Sequence, residues 1–174
     1  MTVLVRPEGP EDEAAVAAVV TAAFTGAGAQ PGPEAAFVRE LRLEPGAYLA
    51  RYSLVAVDDG DVVGHVLASR IHVGQAPALA LAPVSVHPDH QSSGVGRLLV
   101  ERVLAEATVA GETLVLVLGD PAFYGRFRFE PASELGITGP YAGPEFMARR
   151  LAADAPVGEA VYSPVFTRLE QGRL

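Results

Sequence analysis

LALAPVSVHPDHQSSGVGRLLVERVLAEA, Leu79 to Ala107, runs from a short apolar strand through a proline-bounded turn into Gln-Ser-Ser-Gly-Val-Gly and then directly into an amphipathic helix. A helix start leaves its first backbone N–H groups without intrahelical partners, and the aligned peptide dipoles place partial positive charge there. Phosphates bind such ends. Gly94 and Gly96 carry no side chain to hold a ligand off the backbone, and they permit the dihedrals that a phosphate-cradling loop needs. Arg97 adds a full charge beside them. The segment therefore reads as an anion site at the junction of a strand and a helix.

The flanking chain places that junction in a sheet. Met1 to Pro7 reads as a first strand, and Pro10 with Glu11, Asp12 and Glu13 opens a helix to Phe24 whose apolar stripe is Val16, Val19, Val20 and Phe24. Gly26 to Gly32 is a loop, and Glu34 to Leu43 offers Phe37, Val38 and Leu41 at helical spacing. Ser53 to Val57 and Val62 to His72 flank Asp58-Asp59-Gly60-Asp61, a hairpin signal. Ala78 to Val86 is the strand that delivers the chain to the glycine loop. The helix from Gly94 to about Ala110 shows Leu98, Leu99, Val103 and Leu104 on one face and stops at Gly111. Thr113 to Leu118 is almost wholly apolar, as a strand covered on both faces is. Asp120 to Phe127 is a short helix or turn, and Phe146 to Leu151 and Ala160 to Phe166 are late β-like stretches. The expectation is an α+β, mixed α/β fold over residues 1–174 as a single domain, its central sheet mixed and mostly antiparallel, with helices on both faces.

Composition narrows the function classes. The chain has 174 residues, enough to bury about 70% of the surface its unfolded form exposes. No apolar run approaches the ~20 residues that span a bilayer, and the N-terminal run is too short for a signal peptide. A cytoplasmic location with no membrane partner is expected. The formal net charge of −8 disfavours nucleic acid as a partner and mildly favours amines, although an acidic solvated surface that maintains solubility is the simpler explanation. Cysteine is absent, so there is no thiolate nucleophile and no cysteine metal site; all 13 basic residues are Arg, which excludes Schiff-base chemistry. His87-Pro88-Asp89-His90 has no further ligands in reach, and no metal site is expected.

Gln91-Ser92-Ser93-Gly94-Val95-Gly96 resembles the acetyl-coenzyme A motif of the GNAT superfamily of N-acetyltransferases, in which Gln or Arg, two residues, Gly, one residue and Gly or Ala follow one another. Val84-Ser85-Val86-His87-Pro88 is similar to the strand and turn that contact the cofactor in that family. Val117 to Pro131, VLGDPAFYGRFRFEP, resembles its later tyrosine region and is most like the YhbS-type branch. The resemblance implies acetyl-CoA as co-substrate, with Val84, Ser85 and Val86 holding the pantetheine arm through backbone groups. It implies that Gln91, Ser92, Ser93, Gly94, Val95, Gly96 and Arg97 take the pyrophosphate, and that Tyr124 protonates the leaving thiolate. Two departures stand out. The family's Asn-centred stretch is shortened to Gly119-Asp120-Pro121, where Asp120 either replaces the Asn at the cofactor arm or caps the next turn, and the Gly before the terminal Phe is Arg128.

A buried anchoring role is the rival reading for Tyr124, beside Phe123, Phe127 and Phe129. No general base is evident: His87 and His90 lie in a turn, His65 and His72 in a strand, and Glu34 and Glu40 on a helix face. The leading expectation is a direct acetyl-CoA-dependent N-acetyltransferase acting on a small-molecule amine or a protein amine, as a monomer or homodimer. A non-catalytic acyl-CoA-binding sensor is the alternative. A dinucleotide oxidoreductase fails because the full G-x-G-x-x-G and an acidic ribose reader are missing.

Overall fold

The computed structural model describes residues 2–25 and 30–174; residues 26–29 of the Gly26 to Gly32 loop lie outside them. The chain runs β1 (Leu4–Pro7), α1 (Glu13–Phe24), α2 (Glu34–Leu43), β2 (Ser53–Asp58), β3 (Asp61–Val73), β4 (Ala76–Val86), α3 (Val95–Val109) and β5 (Leu114–Leu118). It continues through α4 (Pro121–Tyr124), β6 (Glu130–Pro131), β7 (Ile137–Thr138), β8 (Phe146–Arg150), β9 (Gly158–Val161) and α5 (Pro164–Glu170). The β2–β3 reversal falls where expected. Asp59 and Gly60 both take positive φ, 49° and 91°, the conformation that lets a two-residue turn match the twist of its strands.

The sheet order is β1-β2-β3-β4-β5-β8-β6, with β9 on the far end of β3 and β7 beside β9. Among the described residues, β4 with β5 and β7 with β9 pair in parallel and the other pairs are antiparallel. Alternation along the strands fills two cores. Val55, Leu67, Ile71, Leu114 and Leu116 pack under α1, α2 and α5, whereas Leu54, Val66, Leu79, Val115 and Val117 pack under α3. The β5 residues thus reach both faces, as their unbroken apolar run requires.

Three expectations are corrected. Leu98 is 42% exposed, and α3 instead buries Val95, Leu99, Val100, Val103, Leu104 and Ala107; counting the stripe from Val95 at helical period leaves Leu98 at its margin. Phe24 is 41% exposed instead of completing the core stripe of α1. The stretch from Ala160 to Phe166 is not one strand: Val161 ends β9, and Pro164, which lacks an N–H to donate to a ladder, sits in the first turn of α5.

Candidate active site

The site begins where β4 and β5 part. They pair only through Leu79–Leu81 and Val115–Val117. Immediately afterwards β4 bulges: Val84 faces Val66 and Leu81 faces Ala68, so Ala82 and Pro83 together oppose Leu67. A bulge bends its strand, and β4 follows β3 onward while β5 stops at Leu118. The N–H of His87 donates to the carbonyl of Val63 on β3 at 2.9 Å. Backbone alternation then turns the polar groups of Ser85 toward β3 and those of Val84 and Val86 toward the open side. The Val86 carbonyl accepts from the Gln91 side-chain amide at 3.1 Å, which ties the glycine loop to the strand.

The loop earns its glycine at position 94, where φ is +94° and a Cβ would meet nothing within 4 Å. Conformation is the requirement there. At Gly96, in the first turn of α3, a Cβ would touch Val86 Cγ2 at 3.6 Å and Phe123 Cζ at 3.7 Å, so the backbone itself forms the wall of the cleft. Ser92 also takes positive φ, 58°.

A cleft of about 620 Å3 collects Val84, Val86, Gln91, Ser92, Gly94, Gly96, Arg97, Asp120 and Tyr124. Ser85, Ser93 and Val95 do not line it. The Ser85 side chain is buried in the sheet, the Ser93 hydroxyl donates to the His90 carbonyl, and the Val95 side chain is buried in the core. Arg97 pairs through Nε with Glu101 at 2.8 Å one turn along α3, and Asp120 caps α4 by accepting from the Ala122 N–H at 2.9 Å. Ala23, Phe24, Phe123 and Arg126 complete the wall. The sequence does not mark these four as site residues: Phe24 reads as part of a core stripe, and Arg126 stands one turn past Ala122 with no pattern to single it out.

Tyr124 packs among Phe123, Phe127 and Phe129, with ring centroids at 5.0, 6.5 and 5.6 Å. Its side chain is held by packing and still borders the cleft. Burial pushes its phenol up to about 12, so it keeps its proton at any neutral pH. Tyr124, Val84 and Phe24 also line a second cavity of about 390 Å3 that lies between the diverging strands and α5. Its other walls include Glu34, Phe37, Leu116, Leu118, Tyr141, Tyr162 and Phe166. The two cavities therefore share Tyr124.

None of the histidines lines either cavity. His65 is fully buried; its Nε2 lies 3.0 Å from the Ser53 hydroxyl and 3.3 Å from Glu8 Oε2, while its Nδ1 has no partner. Burial holds its pKa below the ordinary value against the opposing pull of Glu8. The ring is thus neutral, with Nε2–H the donor and Arg42 supplying the countercharge to Glu8. Glu40 lies beside Arg39 and Arg168, whereas Glu34 borders the second cavity.

This splayed sheet with a glycine loop at its crossover helix defines an acyltransferase fold, and residues 18–127 match the Acetyltransferase (GNAT) family. The chain belongs to that family. It is 34% identical to the uncharacterized N-acetyltransferase YhbS of Escherichia coli K12 over 157 residues, 87% of this chain and 89% of YhbS. The structure of E. coli YhbS in complex with CoA superposes with a TM-score of 0.85 at 31% identity, covering 95% of this chain and 92% of that one. A GNAT family acetyltransferase from Brucella melitensis in complex with acetyl-CoA gives 0.79 at 32% identity, covering 95% and 98%. Among the described residues, no helix is long and apolar enough to cross a membrane.

Proposed function

We propose that this chain, acting as a single domain, transfers an acetyl group from acetyl-CoA to a primary amine by direct attack. The observation that carries the reading is the meeting of the two cavities at Tyr124, one lined by backbone donors and glycines and the other by apolar side chains. The similarity to proteins crystallised with CoA and acetyl-CoA supports the donor. The reading carries a cytoplasmic setting with it, the compartment in which such a thioester is available.

In this reading Val84 and Val86 pair their open-side N–H and C=O groups with the amides of the pantetheine arm, as one strand pairs with another. The N–H groups of Ser92, Gly94 and Gly96 face the pyrophosphate, with Arg97 and Arg126 at its margin. The apolar cavity disfavours an ammonium and so favours the neutral amine, the form with a free lone pair. As the amine nitrogen bonds to the carbonyl carbon and the C–S bond breaks, the electron pair moves to sulfur. Tyr124 donates its phenolic proton toward that sulfur and regains one from solvent; the amine releases its surplus proton to water. Holding both reactants in place supplies much of the rate.

The lack of a histidine at either cavity favours a second reading, a sensor that binds acyl-CoA without turnover. Release of free CoA thiol from acetyl-CoA in the presence of a panel of amines separates the two. Amine-dependent release supports the transferase, and saturable acetyl-CoA binding with no release from any amine supports the sensor.

A further inference from the structure

The second cavity has a composition that the proposed transfer to an amine does not by itself require. Phe37, Tyr162 and Phe166 form a continuous edge-to-face wall, with centroids 4.9 Å apart for Phe37 and Phe166 and 4.8 Å for Tyr162 and Phe166. Tyr141 extends that wall at 5.3 Å from Tyr162. The facing wall is the aliphatic ends of β4 and β5, with Leu118 at the rim, 53% exposed. Among the described lining residues the one charged side chain is Glu34, whose Oε2 is shielded from solvent and has no hydrogen-bond partner.

Resting on the transferase reading, we infer that the acceptor is a small primary amine carried on an aryl or short alkyl body, which gives up its ammonium proton to water on entry, fills this cavity and donates an N–H to Glu34. The volume, about 390 Å3, falls in the range of sites for single small molecules. A polyamine would bring a second charge against aromatic and aliphatic walls, where an unpaired charge is costly. A lysine-bearing peptide would press polar backbone against the same walls. A long acyl chain on the donor would suit the apolar lining but would leave Glu34 Oε2 shielded without a partner. An apolar amine satisfies both the walls and the acid. The chemistry is the one given above: the amine nitrogen bonds to the carbonyl carbon, the sulfur leaves with the electron pair and takes a proton from Tyr124, and the surplus amine proton goes to water.

The test compares 2-phenylethylamine and hexylamine with putrescine and a lysine-containing peptide, using acetyl-CoA and reading kcat/KM by thiol release. The apolar amines are expected to exceed the other two by at least about tenfold, the scale on which a pocket discriminates apolar groups. Leu118→Arg, at an exposed rim position, is expected to raise KM for 2-phenylethylamine at least about tenfold while leaving acetyl-CoA affinity and melting temperature unchanged. Putrescine or the peptide reacting as well as the apolar amines overturns the inference and leaves the transferase reading intact. If acetyl-CoA binds and no amine reacts, the transferase reading fails. Calorimetry of 2-phenylethylamine with the CoA-loaded protein then decides the cavity's ligand: saturable binding lost in Leu118→Arg supports an apolar amine, and no binding overturns it. Octanoyl-CoA binding at least about tenfold more tightly than acetyl-CoA, with the gain lost in Leu118→Arg, also overturns the inference, because the cavity then holds the acyl chain.

Discussion

A Cβ added to Gly119 would overlap Cε2 of Tyr124 and lie 2.8 Å from its Cδ2, closer than real contacts allow. The end of β5 therefore sets the position of the phenol that both cavities share. Gly119→Ala is expected to displace the ring and destabilise by about 1–3 kcal/mol, as overpacking does. Tyr124→Phe keeps the ring and removes only the hydroxyl. Turnover is expected to fall by about 100- to 10,000-fold, the usual contribution of a general acid, with acetyl-CoA affinity and melting temperature nearly unchanged. Single-turnover kinetics with parallel melting curves check the pair; a Phe variant with full turnover while chemistry limits the rate removes Tyr124 from the reaction.

Gly94 and Gly96 separate backbone conformation from space. Gly94→Ala meets no neighbour but must hold φ near +94°, so it is expected to cost about 1–2 kcal/mol of stability, the penalty for a left-handed residue with a Cβ. Gly96→Glu has room for its Cβ, yet its carboxylate enters the cleft beside Ser92 and Arg97. Acetyl-CoA affinity is expected to drop by at least about a hundredfold with little change in melting temperature, and calorimetry measures it.

Arg128 takes φ +62° at the end of the turn that follows Tyr124. That is the position where the resembling family uses Gly, so the departure in sequence is a conformational cost that the arginine bears. Arg128→Gly is expected to stabilise the protein by about 0.5–1 kcal/mol, read as a rise in melting temperature of roughly 1–4 °C. A lower melting temperature means that the arginine side chain contributes more than its backbone costs.

Acid should weaken the fold in two stages. His65 has a lowered folded pKa because burial opposes its charged form, so the unfolded chain takes up that proton first. Stability is expected to fall as pH drops below about 6.5, with a slope of at most ~1.4 kcal/mol per pH unit for one proton. Burial opposes ionisation of Glu8, but hydrogen bonds from His65 and Ser53 and the charge of Arg42 outweigh it and lower its pKa. Its contribution is complete above the unfolded carboxylate value near ~4.3 and is lost as pH falls through the lower folded value. Urea unfolding from neutral to acidic pH checks both stages, and His65→Gln is expected to remove the upper one while also reducing the lower, because His65 is one of the groups that lower the Glu8 pKa. A stability profile that is flat from neutrality down to the carboxylate range contradicts a neutral buried His65.

The glycine loop, the hairpin at Asp59-Gly60 and the β5 core strand were legible because each rests on local chemistry: positive φ, a helix start, an unbroken apolar run. The second cavity was not legible. Its aromatic wall assembles from Phe37 on α2, Tyr141 in a loop, and Tyr162 and Phe166 around the start of α5, residues far apart in sequence that carry no shared period. Phe166 was additionally assigned to a strand, since an alternating apolar run resembles one until Pro164 is weighed as a helix opener. Tyr124 was legible only through family likeness; the aromatic neighbours that bury it kept an anchoring role as the rival reading. His65 illustrates the reverse case, a residue type suggestive of catalysis that its contacts with Glu8 and Ser53 assign to the interior of the sheet.

Because β4 outruns β5, the sheet is one strand short along Val84 to Val86, and on the proposed reading the donor's own arm supplies the missing edge. Donor occupancy then counts toward folding as well as catalysis. At a hundredfold excess over its dissociation constant a ligand adds about 2.7 kcal/mol to the native state, comparable with deleting a large buried side chain in the opposite direction. On that reading the persistence of this protein would be coupled to the metabolic supply of its thioester, and scarcity of the donor would thin the folded population as well as slow the reaction.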